Sequence, residues 1–179
     1  MFTISRDDPA YYLTSVTHQR LPIFRSDEIK KVVADALNEA RTSGGFKIFA
    51  YVLMPDHTHF LTDNSREIKD TLRFLNGITA RRIIDHLKRN GYETSLRKLQ
   101  IAEMADEQKY SVYQHHPNAL RVTGEAAFMQ KVHYIHLNPV RAGLVEHPND
   151  YLYSSARLWH GRAMEAEPFE TDHLSIRWR

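Results

Sequence analysis

A near-continuous apolar run, Phe46 to Met54 (FKIFAYVLM), is followed at once by Pro55 and Asp56 and then by a second extended stretch, His57 to Thr62 (HTHFLT). The run suits a central strand and is far short of the ~20 residues a membrane helix needs. Proline fixes φ and lacks an N–H, and aspartate bonds its own backbone in turns, so Pro55–Asp56 makes a turn or bulge between two strands. Upstream, Ala10 to Thr17 (AYYLTSVT) is rich in aromatic and β-branched residues and reads as a strand. Ser26 caps a helix with Asp27 and Glu28 in its first turn, Ile29, Val32, Val33, Ala36, Leu37 and Ala40 form its buried face, and Gly44–Gly45 stop it.

Downstream, a long helix is expected from Ser65 to about Arg89, ended by Gly91. Between residues 92 and 123 the pattern suggests a short strand at Tyr110–Tyr113 and otherwise loop. A final helix runs from Glu125 to Leu137, with Pro139 marking its end because proline disfavours helical geometry at the residue before it. A C-terminal wrap follows. The order β–α–β–β–α–(β)–α gives an α+β class, an antiparallel sheet with helices packed on one face.

Composition narrows the setting. A chain of 179 residues supports one core. The absence of cysteine excludes disulfides and Cys-based zinc sites and suits a reducing cytoplasm. The N-terminus, MFTISRDDP, lacks the apolar segment of a signal peptide, so a cytoplasmic, non-membrane protein is expected. A net charge of only +2 does not announce nucleic-acid binding, so the positions of the basic residues matter more than their number.

Two constellations carry chemistry. Residues i and i+2 of a strand share a face, so His57 and His59 project side by side and could hold one divalent ion, given a further ligand. Alternatively they are two histidines on a half-exposed strand face, bonding water or backbone. In the last helix, Tyr134 and Asn138 stand one turn apart, beside an apolar stripe of Phe128, Val132 and Ile135. A phenol and a hard carboxamide oxygen suit a shared polar site. The competing reading is a packing tyrosine and an asparagine that satisfies helix-end backbone. On the long helix Lys69, Arg73, Gly77 and Arg81 recur every four residues, either a phosphate-binding stripe or a solvated face. Arg141 is a further phosphate candidate by its place in the chain. Tyr110, Tyr113 and Phe128 could stack on bases, with core packing as the alternative.

Taken together, YVLMPDHTHFL (51 to 61), HYIHLNPVRAGLV (133 to 145), YYLTSVTHQRLPIF (11 to 24), YQHHPNALRV (113 to 122) and YLYSSARLW (151 to 159) resemble the single-tyrosine HUH transposases, in particular the REP-associated tyrosine transposases. The resemblance spans roughly residues 8 to 162, so residues 1–162 are expected to form a single transposase domain and 163–179 a C-terminal tail. It implies a ferredoxin-like sandwich in which His57, His59 and Asn138 bind Mg²⁺ or Mn²⁺ and Tyr134 is the nucleophile. Thr58 stands where a bulky hydrophobic residue is commoner. The implied substrate is single-stranded or hairpin DNA of the repetitive extragenic palindrome type, cut and rejoined through a 5′-phosphotyrosine by a monomer or homodimer. Other readings are a relaxase or replication initiator of the same superfamily, a domesticated nucleic-acid-binding protein on the same fold, and a metal hydrolase that activates water with the histidine pair.

Overall fold

In a computed structural model of the chain, residues 1–101 and 110–178 are described. The elements are β1 (Ala10–Val16), α1 (Asp27–Gly44), β2 (Ile48–Leu53), β3 (His57–Thr62), α2 (Ile68–Arg89), α3 (Glu93–Leu99), β4 (Asn118–Val122), α4 (Glu125–Arg141) and α5 (Ala156–Trp159). The four strands form one antiparallel sheet in the order β2-β3-β1-β4. This is the α+β, ferredoxin-like arrangement expected from the sequence, with β3 and β1 at its centre; β2, whose apolar run suited a central strand, lies at an edge of the sheet.

Local chemistry explains the elements that the sequence identified. Ser26 Oγ accepts from Ile29 N at 3.3 Å, and Gly45 closes α1 in the left-handed region at φ 64°, where a Cβ would be strained. β2 is buried at every residue, so both faces of the sheet are covered there. α1 and α2 pack against each other as one helical layer, while α4 lies across β2 and β3 on the face that carries the histidines. The free edge of β2 is closed by the C-terminal wrap. Leu53 N donates to Tyr153 O, and Ser155 N to Tyr51 O.

Several boundaries differ from expectation for identifiable reasons. α2 starts at Ile68, because Ser65 Oγ donates to Asp63 Oδ1 and Gly45 O and ties the preceding loop instead of capping the helix. α4 continues through Pro139 to Arg141. Pro139 sits in the last turn, where its missing N–H removes one ladder bond, and Ala142 N and Leu144 N still close the end on Asn138 O and Pro139 O. The segment expected to be loop contains α3 and β4. α3 lacks a side-chain cap, and β4 has only Val122 buried, so neither displays the periodicity that marks longer elements. Tyr110 and Tyr113 form only isolated bridges, to Gln100 and Thr17, where a strand was expected. The part of that loop over residues 102–109 lies outside the described residues.

The C-terminal wrap is fastened by Arg157. Its guanidinium donates to Glu167 at 2.7 and 3.0 Å and to the carbonyls of Tyr151 and Leu152, with the two charged side chains only 8% and 2% exposed. Removing one partner would leave the other charge buried. Arg157→Leu is therefore expected to lower the unfolding free energy by about 3 kcal/mol in urea titrations. An unchanged midpoint and slope would show that the pair is dispensable.

Candidate active site

The β2–β3 hairpin sets the first half of the site. Met54 N donates to His57 O at 2.9 Å and closes the turn on Pro55 and Asp56, so β3 begins at His57. The strand then places the His57 and His59 rings on one face, 4.9 Å apart, while Thr58 points to the opposite, fully buried side.

Each imidazole has its Nδ1 engaged. His57 Nδ1 lies 2.6 Å from Asp56 Oδ1, and Asp56 Oδ2 accepts from Arg20 Nη1 at 3.0 Å. Burial alone would raise the Asp56 carboxyl, but the hydrogen bonds and charges of His57 and Arg20 outweigh it and hold its pKa below the ordinary value. His59 Nδ1 lies 2.9 Å from the Tyr12 hydroxyl and 2.8 Å from Thr14 Oγ1. Burial and then the neighbouring His57 push the His59 pKa down to about 3, so this imidazole is neutral at physiological pH, the form that binds metal.

The second half comes from α4. Its buried stripe of Phe128, Val132, Ile135 and Pro139 seats the helix on the sheet. The adjoining face, Lys131, Tyr134, Asn138 and Arg141, recurs at three- and four-residue steps. Tyr134 is 40% exposed, and its ring stands edge-on 5.5 Å from His59 and 6.2 Å from Tyr12. Asn138 Nδ2 donates to Tyr134 O at 2.7 Å, which leaves its Oδ1 as the group available towards His59, with which the Asn138 side chain interacts. Two cations lie near the phenol ring, Arg141 with its guanidinium carbon at 5.2 Å and Lys131 with Nζ at 6.0 Å from the ring centre.

Tyr12, Thr14, Arg20, His57, His59, Lys131, Tyr134 and Asn138 line one open cleft of about 580 Å³ together with Asn118 and Leu120 of β4, whereas Arg141 and Asp56 lie outside its lining. His57, His59, Tyr134 and Asn138, drawn from two separate stretches of sequence, meet there. Among the described residues no group of three or more His, Cys, Asp or Glu is arranged to hold a metal ion. A metal here would need the carboxamide of Asn138 beside the two imidazoles, and that donor set fits Mn²⁺, which accepts both nitrogen and oxygen. It suits Mg²⁺ less, since that ion prefers oxygen.

The remaining candidates lie elsewhere. Lys69, Arg73 and Arg81 are exposed on α2 and do not line the cleft; Lys69 pairs with Glu67 at 3.2 Å, and Arg73 stands 3.7 Å from Asp70. Phe128 is core, and Tyr113 is held by a hydrogen bond to Thr79, so both take the packing role. A second groove, about 330 Å³, lies between the start of α1 and the α2–α3 corner and contains none of the candidates. Reading the sequence missed Asp56, seen only as a turn residue, as well as Tyr12, Thr14 and Lys131. Lys131 was findable, three residues before Tyr134 on the same helical face, and Tyr12 and Thr14 share a strand face two residues apart. Arg20 carries no signal.

The buried histidines have a consequence for stability. His136 is only 3% exposed, and burial together with His160, His133 and His173 pushes its pKa to about 3, as burial does for His59. Unfolded histidines take up protons near pH 6.5, whereas these resist until far lower pH. The unfolded state thus binds more protons in that interval, and stability falls as pH drops. From pH 6.5 to 5 the two groups together account for up to about 4 kcal/mol at ~1.4 kcal/mol per pH unit each. Urea midpoints should fall across this window and recover part of the loss in His136→Gln. A flat profile would contradict the assignment.

The chain matches the family described as "Transposase IS200 like" over residues 6–99, a stretch that includes both histidines and ends before Tyr134. Among solved structures it is similar to a REP-associated tyrosine transposase bound to a REP hairpin, with 15% identity, a TM-score of 0.63 and coverage of 92% of this chain and 87% of that one. That likeness is one of fold. It is also similar to a candidate transposase from Deinococcus radiodurans R1, with 23% identity, a TM-score of 0.49 and coverage of 72% of this chain and 88% of that one. Comparison with curated protein sequences gives no match. The family match extends over more than half of the chain, and the protein therefore belongs to the IS200-like transposases.

Proposed function

We propose that the protein is a metal-dependent single-strand DNA endonuclease and strand transferase that acts on hairpin DNA through a covalent 5′-phosphotyrosine at Tyr134. The observation that carries this reading is the meeting of an exposed phenol with two histidines and a carboxamide in one open cleft. Membership of a transposase family supports strand transfer, and the fold shared with a REP-associated enzyme bound to its hairpin supports a hairpin substrate.

In this reading the Tyr134 oxygen loses its proton and bonds to the scissile phosphorus. The bond from phosphorus to the 3′ oxygen breaks, and that oxygen leaves with the electron pair and gains a proton. A second 3′-OH then attacks the phosphotyrosine, forms a new phosphodiester and returns the phenol, with no external energy source. Lys131 and Arg141, both near the phenol ring, offset the negative charge of the phosphate. His57, His59 and Asn138 are the metal ligands, and bound Mg²⁺ or Mn²⁺ would supply Lewis-acid polarisation of a phosphate oxygen. Lys69, Arg73 and Arg81, outside the cleft, are proposed contacts to more distant phosphates.

The test is incubation with labelled single-stranded hairpin DNA and Mn²⁺ or Mg²⁺, followed by denaturing electrophoresis. A metal-dependent adduct supports the proposal. Metal-dependent cleavage with no adduct would favour water activation by the histidine pair, and binding without cleavage would favour a DNA-binding role. Of the phosphate contacts, Arg141→Gln is expected to reduce adduct formation by ~10-fold, whereas Arg81→Gln should weaken DNA binding by a smaller factor and flatten its salt dependence.

A further inference from the structure

We infer that the Thr17–Phe24 segment is a bracket that positions the first metal-binding histidine, with Arg20 and Asp56 as its positioning residues. The inference rests on the metal reading of His57 and His59 given above. Four backbone or side-chain donors of this segment converge on the turn before β3. Thr17 N and Thr17 Oγ1 both donate to Asp56 O at 2.9 Å, Phe24 N donates to Pro55 O at 2.9 Å, and Arg20 Nη1 donates to Asp56 Oδ2 at 3.0 Å. Thr17 Oγ1 also reaches Leu21 O at 2.7 Å and closes the bracket on itself.

The bracket holds an unusual backbone. Gln19 and Arg20 are consecutive residues in the left-handed region, at φ 51° and 54°, and they are the only such non-glycine residues among those described. Side chains with a Cβ rarely adopt this geometry, and where it persists the surrounding structure imposes it. Here it brings the otherwise exposed Arg20 guanidinium onto Asp56.

The chemistry of the relay fixes one tautomer. An ionised carboxylate only accepts, so His57 Nδ1 carries the proton donated to Asp56 Oδ1 at 2.6 Å. Nε2 is then the ring nitrogen through which His57 would hold a metal. A carboxylate behind a ligating histidine also makes that ligand more basic.

Electrostatics and positioning predict opposite signs for Arg20. Removing a cation near a metal site should by charge alone tighten divalent-ion binding. If Arg20 instead acts through Asp56, its loss should weaken binding. The test is Mn²⁺ affinity of the full chain without DNA, by electron paramagnetic resonance of free Mn²⁺. Asp56→Asn is expected to weaken binding ~10–100-fold, the usual range for the partner of a ligating histidine, and Arg20→Gln by a smaller factor. Arg20→Gln should add little in the Asp56→Asn background, and saturating Mn²⁺ should restore cleavage. Arg20 is exposed, so this variant keeps its fold even if the Asp56 variant does not. Unchanged or tighter Mn²⁺ binding by Arg20→Gln, or an effect on DNA affinity alone, would overturn the inference and make Arg20 a direct phosphate contact. A wild-type chain that binds no Mn²⁺ would overturn the metal reading and this inference together.

Discussion

Tyr134→Phe is expected to abolish the protein–DNA adduct and to reduce strand cleavage by about four orders of magnitude or more, because the cleft's other phenol, Tyr12, is buried, lies 2.9 Å from His59 Nδ1 and has its pKa pushed up to about 12 by burial. The substitution removes one oxygen from a side chain that is 40% exposed, and Asn138 holds the Tyr134 carbonyl, not its hydroxyl. The ring contacts with His59 and Tyr12 remain available to phenylalanine. Stability and DNA affinity should therefore stay close to wild type while chemistry disappears. This separation is what gives the variant its value. A metal hydrolase that activates water would keep its cleavage rate in Tyr134→Phe, and such a result in a gel assay would remove tyrosine from the mechanism.

The second large effect is expected at His59. His59→Ala should lose cleavage by about a thousandfold or more through loss of a metal ligand, and should also lose stability. The two histidines differ in this respect. His59 is only 5% exposed, and Tyr12 and Thr14 share its Nδ1 as a hydrogen-bond partner, so truncation leaves a cavity and removes that shared partner, at a cost of roughly 2–3 kcal/mol. The His57 side chain is 19% exposed, and its partner Asp56 retains Arg20. His57→Ala should thus match His59→Ala in lost Mn²⁺ binding but unfold nearer the wild-type urea midpoint. Equal losses of stability with unequal losses of metal affinity would argue that the histidines are structural neighbours and not joint ligands.

The parts of the fold legible in the sequence are those where one physical signal dominates. The His57–Thr62 strand was delimited because an apolar run, a proline turn and an alternating segment follow one another. α1 was delimited by Ser26 and Gly45, whose side-chain oxygen and left-handed φ do the capping. β4 escaped because its burial comes from pairing with β1 and not from its own pattern, and α3 because a short helix without a cap offers too few turns for a period. Pro139 misled because a proline in the last turn costs a single bond.

At the site, the four residues singled out by spacing do meet in one cleft. Their roles remain the proposal made above. What spacing could not reveal was the surroundings. Asp56 next to His57 looked like turn chemistry alone, and Arg20 reaches Asp56 from a left-handed backbone that no residue pattern announces. Lys131 shares the helical face of Tyr134 by its spacing, but a lysine on a helix is usually solvated, and only the packing of α4 sets it over the rings of Tyr12 and Tyr134. Charge on α2 illustrates the converse. Its four-residue repeat was visible at once, yet it lies away from the cleft.

The most direct measurement is peptide mapping of the trapped protein–DNA adduct by tandem mass spectrometry after nuclease digestion. The chain has nine tyrosines, several of them near the cleft or exposed, so the site of modification discriminates. The account predicts a single 5′-phosphonucleotide mass on the peptide carrying Tyr134, formed only with divalent metal present. Modification of Tyr12 or any other residue, or cleaved DNA whose new phosphate has taken its oxygen from water with no modified peptide, would contradict it.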